Sequence, residues 1–207
     1  MNKFDIEIAV VPNEKLFPTG QKFEGFRAHS QEDFTTRILE NYTYMRRGDA
    51  EVDFSHKQPI GYGLIKNSEG KYFFYQRGSK RSGEHETRLA GKWACGIGGH
   101  IEAEDEETGN ILTDSLIREL EEEITLNGSV TSAQPIGYIN YEGDEVSQVH
   151  IGVLYLIETD ATTAIGSEEV VNEGFYSKEE ILKKLNNPEL VVEEWTRIVF
   201  DHIFRSR

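Results

Sequence analysis

The segment from Gly98 to Leu126 constrains this chain more than any other. A glycine pair, Gly98-Gly99, stands ahead of a run in which Arg118, Glu119, Glu122 and Glu123 are interleaved with Leu116, Ile117, Leu120 and Ile124. At roughly 100° per residue the three glutamates fall within one narrow helical arc and the aliphatic residues form an adjoining stripe, so the stripe can pack while the carboxylates project. Like charges three or four residues apart on a helix cost roughly 0.2–0.5 kcal/mol per pair, a penalty that a bound cation would reverse. Carboxylate and carbonyl oxygens are hard ligands suited to Mg²⁺ or Mn²⁺, and the sequence shows no cluster of Cys and His that offers a Zn²⁺ site instead.

The rest of the chain reads as strands with helices between them. Ile8 to Val11 is a short strand ending at Pro12. Ser30 and Asp33 supply a helix cap before Phe34, Ile38, Leu39, Tyr42 and Met45, which recur at helical spacing until Arg46, Arg47 and Gly48 close the element. Ile60–Lys66 and Lys71–Arg77 flank Asn67-Ser68-Glu69-Gly70 as a hairpin. Trp93–Ile97 is the strand that delivers the glycine pair, the helix runs from about Thr113 to Ile124, and Asn127-Gly128 ends it. Pro135–Tyr141 and Val149–Ile157 are further strands, the second apolar enough to be buried. Ser177 and Glu180 form a capping box, and after Pro188 the residues Val191, Val192, Trp195, Ile198, Val199, His202 and Ile203 make a final amphipathic helix. This alternation predicts an α/β/α layered domain with a mixed sheet. Residues 1–55 read as an N-terminal strand-and-helix extension packed on a core domain of residues 56–207, together one globular unit.

Composition narrows the partners. With 207 residues, of which 37% are hydrophobic, the chain can bury a sizeable core. A net charge of −15 excludes extended nucleic acid as a partner, since such binding relies on basic residues displacing counterions. The same charge repels free nucleotides at long range, so a phosphorylated small molecule would arrive with its own metal or meet local basic residues. Cys95 cannot form an internal disulfide, Asp5 and Glu7 interrupt any signal-like apolar run, and no segment approaches the ~20 apolar residues of a membrane span. The expected location is cytoplasmic. Amphipathic helices leave a homodimer open.

The 98–126 segment resembles the signature of the Nudix hydrolases, in which a glycine and an acidic residue precede Arg-Glu-aliphatic-any-Glu-Glu-any-Gly-aliphatic. Residues Arg118 to Leu126 match its second half except at Thr125, which stands where the pattern has glycine. Counting from Gly99 puts Asp105 at the first acidic position, with an enlarged loop before Arg118; Glu104, Glu106 and Glu107 remain alternatives. The resemblance implies a Nudix-like α/β/α sandwich and a Mg²⁺- or Mn²⁺-dependent hydrolase that cleaves a phosphoric anhydride, in a nucleoside diphosphate linked to another moiety. By residue matching it implies catalytic and metal-binding roles for Glu119, Glu122 and Glu123, with the carbonyl of Gly98 as a further ligand. Which carboxylate is the general base varies in that family; Glu119 is the first choice, and Glu168, Glu169 or Glu173 could share the task.

Around this set, Arg118 is expected to orient a helix carboxylate, and Arg77, Lys80 and Arg81 are candidate clamps for substrate phosphate. Trp93 reads as packing rather than base stacking, and His100 and His150 as structural. Two other readings compete: a Nudix-fold diphosphate isomerase relaying protons through Cys95, and a nucleotide-sensing protein without turnover. The solvated acidic helix is the plain alternative to all of them.

Overall fold

The computed structural model describes residues 2–78, 89–105, 109–167 and 170–205. In chain order its elements are β1 (Glu7–Pro12), α1 (Asn13–Leu16), β2 (Gly25–Ala28), α2 (Phe34–Asn41), β3 (Thr43–Arg46), α3 (Arg47–Ala50), β4 (His56–Asn67), β5 (Tyr72–Arg77), β6 (Trp93–Ala94) and β7 (Gly96–Ile97). They continue with α4 (Ile111–Glu123), β8 (Ile124–Leu126), β9 (Val130–Asn140), α5 (Glu145–Gln148), β10 (His150–Thr159), β11 (Ala164–Gly166), β12 (Val170–Tyr176), α6 (Lys178–Leu185) and α7 (Glu194–Arg205). The class is α/β with a mixed sheet, as expected.

Two compact units are present, one of Met1–Tyr62, Gly98–Arg118 and Pro135–Tyr155, the other of Gly63–Ile97, Glu119–Gln134 and Leu156–Arg207. In the first, the sheet path runs β4-β10-β9-β2, and β1 pairs antiparallel with both β3 and β4. Its core gathers Ile8, Val10, Leu16, Phe34, Ile38, Leu112 and Leu116, all at most 1% exposed. Phe17, Phe23, Phe34 and Tyr138 pack as tilted and edge-on rings, the geometry their quadrupoles favour. In the second unit β12 pairs with β5 and β5 with β4, β6 adds to β5 and β7 to β4, and β11-β8 form a separate ribbon. Phe74, Trp93 and Phe200 pack there, with the Lys184 ammonium 3.7 Å from the Trp93 ring centre.

Several boundaries differ from expectation. The helix expected through Met45 is α2 and stops at Asn41, and Tyr44 and Met45 lie in β3, facing Ala9 and Ile8 across the ladder. Thr43, Tyr44 and Met45 can serve either pattern, and the free edge of β1 decides in favour of strand. The Trp93–Ile97 segment breaks at Cys95 into β6 and β7, which pair with different neighbours; the Cys95 amide donates to Thr196 Oγ1 instead of to a strand. Helix α4 passes directly into β8, because Ile124, Thr125 and Leu126 pair with Gly166, Ile165 and Ala164; Asn127-Gly128 follows that strand rather than capping the helix. Val191 and Val192 precede α7 instead of opening it, and Val192 forms a parallel bridge with Trp93.

Candidate functional site

The helix α4 carries the motif, and its buried face matches the expected stripe at Leu116 and at Ile124, just past its end, but not at Ile117. Ile117 is 48% exposed, whereas Leu112 and Leu116 are buried and Glu123 is only 8% exposed. Positions 112, 116, 119 and 123 are spaced four, three and four apart, so they share one side of the helix. That side is aliphatic in the first turns and becomes acidic at Glu119 and Glu123, while Glu122 is exposed.

Gly98, in the first unit, is where backbone replaces side chain. Its φ is +153°, and a Cβ there would lie 1.8 Å from the carbonyl oxygen of Gly61. Gly61 is restricted in turn, since its own Cβ would meet the Leu112 carbonyl at 3.1 Å and Leu116 at 3.2 Å. Two glycines thus let the turn, the strand β4 and α4 approach at backbone distance.

Arg118 holds a carboxylate of the preceding turn, Asp105. Nε and Nη2 donate to Asp105 Oδ1 and Oδ2 at 2.5 and 3.0 Å, and Nη2 also donates to the carbonyl of His100 at 2.9 Å. Asp105 sits on a 3-10 turn, Ala103–Asp105, is 5% exposed, and accepts the Glu102 amide at 2.7 Å. The fork ties the loop to the helix and the glycine turn, all within the first unit.

Within the second unit, Glu123 stands at the C-terminal end of α4, where the aligned peptide dipoles disfavour negative charge. Compensation comes from Arg77. Burial opposes the charge on Arg77, but Glu193, Tyr75 and Glu123 outweigh it and raise the guanidinium well above its ordinary value. Arg77 Nε donates to Glu193 Oε1, so this residue is engaged in an ion pair with a carboxylate the sequence pattern did not single out. Lys80, Arg81, Glu106, Glu107, Glu168 and Glu169 lie outside the described residues. Glu173 Oε1 accepts the Gly166 amide at 3.1 Å. Thr125 is exposed in β8, where extended backbone has no need of glycine. Cys95 is fully buried.

The histidines form a second polar cluster in the first unit. His100 Nε2 lies 2.7 Å from Gln58 Oε1, 3.1 Å from His150 Nε2 and 3.8 Å from Glu51 Oε1. His150 Nδ1 is 2.6 Å from the Val146 carbonyl. Burial, with Arg47 and His150 adding, holds His100 well below the usual histidine range; burial lowers His150 as well. No sequence pattern joins residues 51, 58, 100 and 150; only the fold does.

No family model matches the chain. It is 32% identical to Protein YmaB of Bacillus subtilis (strain 168) over 209 residues, 97% of this chain and 98% of that protein. The crystal structure of Tm1382, a candidate Nudix hydrolase, superposes with a TM-score of 0.78 at 26% identity, covering 97% of this chain and all of the other. The Nudix domain of Shewanella oneidensis NrtR, solved with ADP ribose, superposes with a TM-score of 0.54 at 12% identity over 72% of this chain and 88% of that one. Related to YmaB along nearly its whole length and sharing the α/β/α sandwich of these structures, the chain belongs to the Nudix superfamily.

Proposed function

We propose that the chain is a metal-dependent pyrophosphohydrolase acting on a nucleoside diphosphate linked to another moiety. The observation that carries this reading is the α4 face that turns from Leu112 and Leu116 to Glu119 and Glu123, beside an exposed Glu122. The donor set fits Mg²⁺ or Mn²⁺: three carboxylates within two helical turns, and by residue matching the Gly98 carbonyl. A dication held there would supply charge neutralisation and water activation. Glu119 is our choice to accept the proton of the attacking water as its oxygen bonds to phosphorus and the bridging P–O bond breaks, the bridging oxygen leaving with the departing phosphate. The Arg118–Asp105 fork ties the preceding turn to the helix, which is positioning work. The ADP-ribose-bound Nudix domain among the structural neighbours supports a nucleoside diphosphate moiety.

The test is a panel of pyrophosphate-containing substrates assayed with Mg²⁺ and with Mn²⁺. We expect release of a nucleoside monophosphate, and Glu119→Gln, Glu122→Gln and Glu123→Gln to lower turnover by about 10²–10⁴ while remaining folded. Cys95→Ala should hydrolyse normally. A folded wild-type protein that binds the substrates and releases no product with either metal overturns the reading and favours a sensor.

A further inference from the structure

We propose that Glu51, His100 and His150 form a second metal site, separate from the motif glutamates, that takes a borderline first-row dication of the Zn²⁺ class. One ligand atom from each of the three residues lies within 4.8 Å of the others. The two imidazole Nε2 atoms are 3.1 Å apart. Two nitrogens bound tetrahedrally at about 2.0–2.1 Å from one zinc ion are about 3.3 Å apart, so the pair is already near ligand spacing.

Three further features fit a cation. His150 Nδ1 faces the Val146 carbonyl at 2.6 Å, which makes Nδ1 the N–H and leaves the Nε2 lone pair directed at the cluster; a backbone carbonyl behind a ligand histidine is how such rings are oriented. Gln58, 1% exposed, presents its carbonyl oxygen 2.7 Å from His100 Nε2, while its amide nitrogen is buried without a hydrogen-bond partner among the described residues. That orientation brings a fourth oxygen toward the cluster. Glu51 is the C-cap of α3 and supplies the negative charge that offsets a buried dication. Two imidazoles with one carboxylate favour Zn²⁺, Co²⁺ or Fe²⁺ over Mg²⁺, which prefers an all-oxygen octahedron.

Residues 51, 100 and 150 come from three separated stretches of the first unit: the end of α3, the turn after Gly98-Gly99, and the start of β10. A dication here would clip the N-terminal segment to the glycine turn. Binding to the folded state alone would also raise the melting temperature.

The test strips the full-length protein with chelator and reloads it with Co²⁺ or Zn²⁺ alone. We expect tight uptake of Co²⁺ with intense visible bands of low coordination number, displacement by Zn²⁺, and a higher melting temperature. His150→Gln and Glu51→Gln should each weaken this uptake at least about tenfold, while Glu122→Gln leaves the bands unchanged. Bands that survive His150→Gln, or that vanish with Glu122→Gln, overturn the proposal. Should His150→Gln fail to fold, zinc-edge X-ray absorption of the wild-type protein decides: imidazole scattering supports the site and an all-oxygen shell overturns it.

Discussion

At the scale of single residues, Gly98 and Lys57 make the sharpest demands. Gly98→Ala forces a Cβ into the Gly61 carbonyl, so we expect a loss on the order of 3 kcal/mol in urea unfolding, more than an exposed substitution costs. Lys57 is fully buried with its ammonium 2.7 Å from Glu142 Oε1. Burial, only partly offset by Glu142, pulls its pKa from 10.5 down to about 8. Between those values the unfolded chain holds the proton that the folded protein has lost, so this group favours folding increasingly as pH rises through the window. Below it, the charged ammonium is a standing cost. Lys57→Met should therefore be more stable than wild type at neutral pH, with an advantage that shrinks toward pH 10; Glu142 keeps Lys22 at 3.0 Å in the variant. A constant difference across that range would show that Lys57 does not titrate there.

At the scale of elements, caps and pairings divide the work. Ser177 and Glu180 exchange side-chain and backbone hydrogen bonds at the start of α6, as the sequence spacing predicts. Ser177→Ala should cost about 1 kcal/mol, read from the urea midpoint, with the slope of the transition unchanged. Asp33 caps α2 through Thr36 in the same local way. These features were legible because a cap is a contact between residues three apart. The end of α2, the break at Cys95 and the passage of α4 into β8 were not, because each depends on a strand partner far along the chain.

At the scale of the whole molecule, the net charge of −15 acts on any anionic substrate from a distance. Raising monovalent salt shrinks the Debye length from about 30 Å at 0.01 M to about 8 Å at 0.15 M. With the dication saturating, kcat/KM for the proposed substrate should rise over that range. A fall would mean that local basic residues, not the global charge, govern its approach. Among the described residues no helix is long and apolar enough to cross a membrane.

By itself the sequence determined the helix that bears Arg118, Glu119, Glu122 and Glu123, the β4–β5 turn at Asn67–Gly70 and the two side-chain caps. Each of these depends on residues within a turn or two of one another, where propensity and hydrogen-bonding reach decide. Only the tertiary structure decided that Arg118 grips Asp105, that Arg77 pairs with Glu193, that Ile117 faces solvent while Glu123 is buried, and that Glu51, His100 and His150 meet. Charge–charge contact and burial depend on distance in space, and a chain crossing its sheet several times sets that distance independently of separation in sequence.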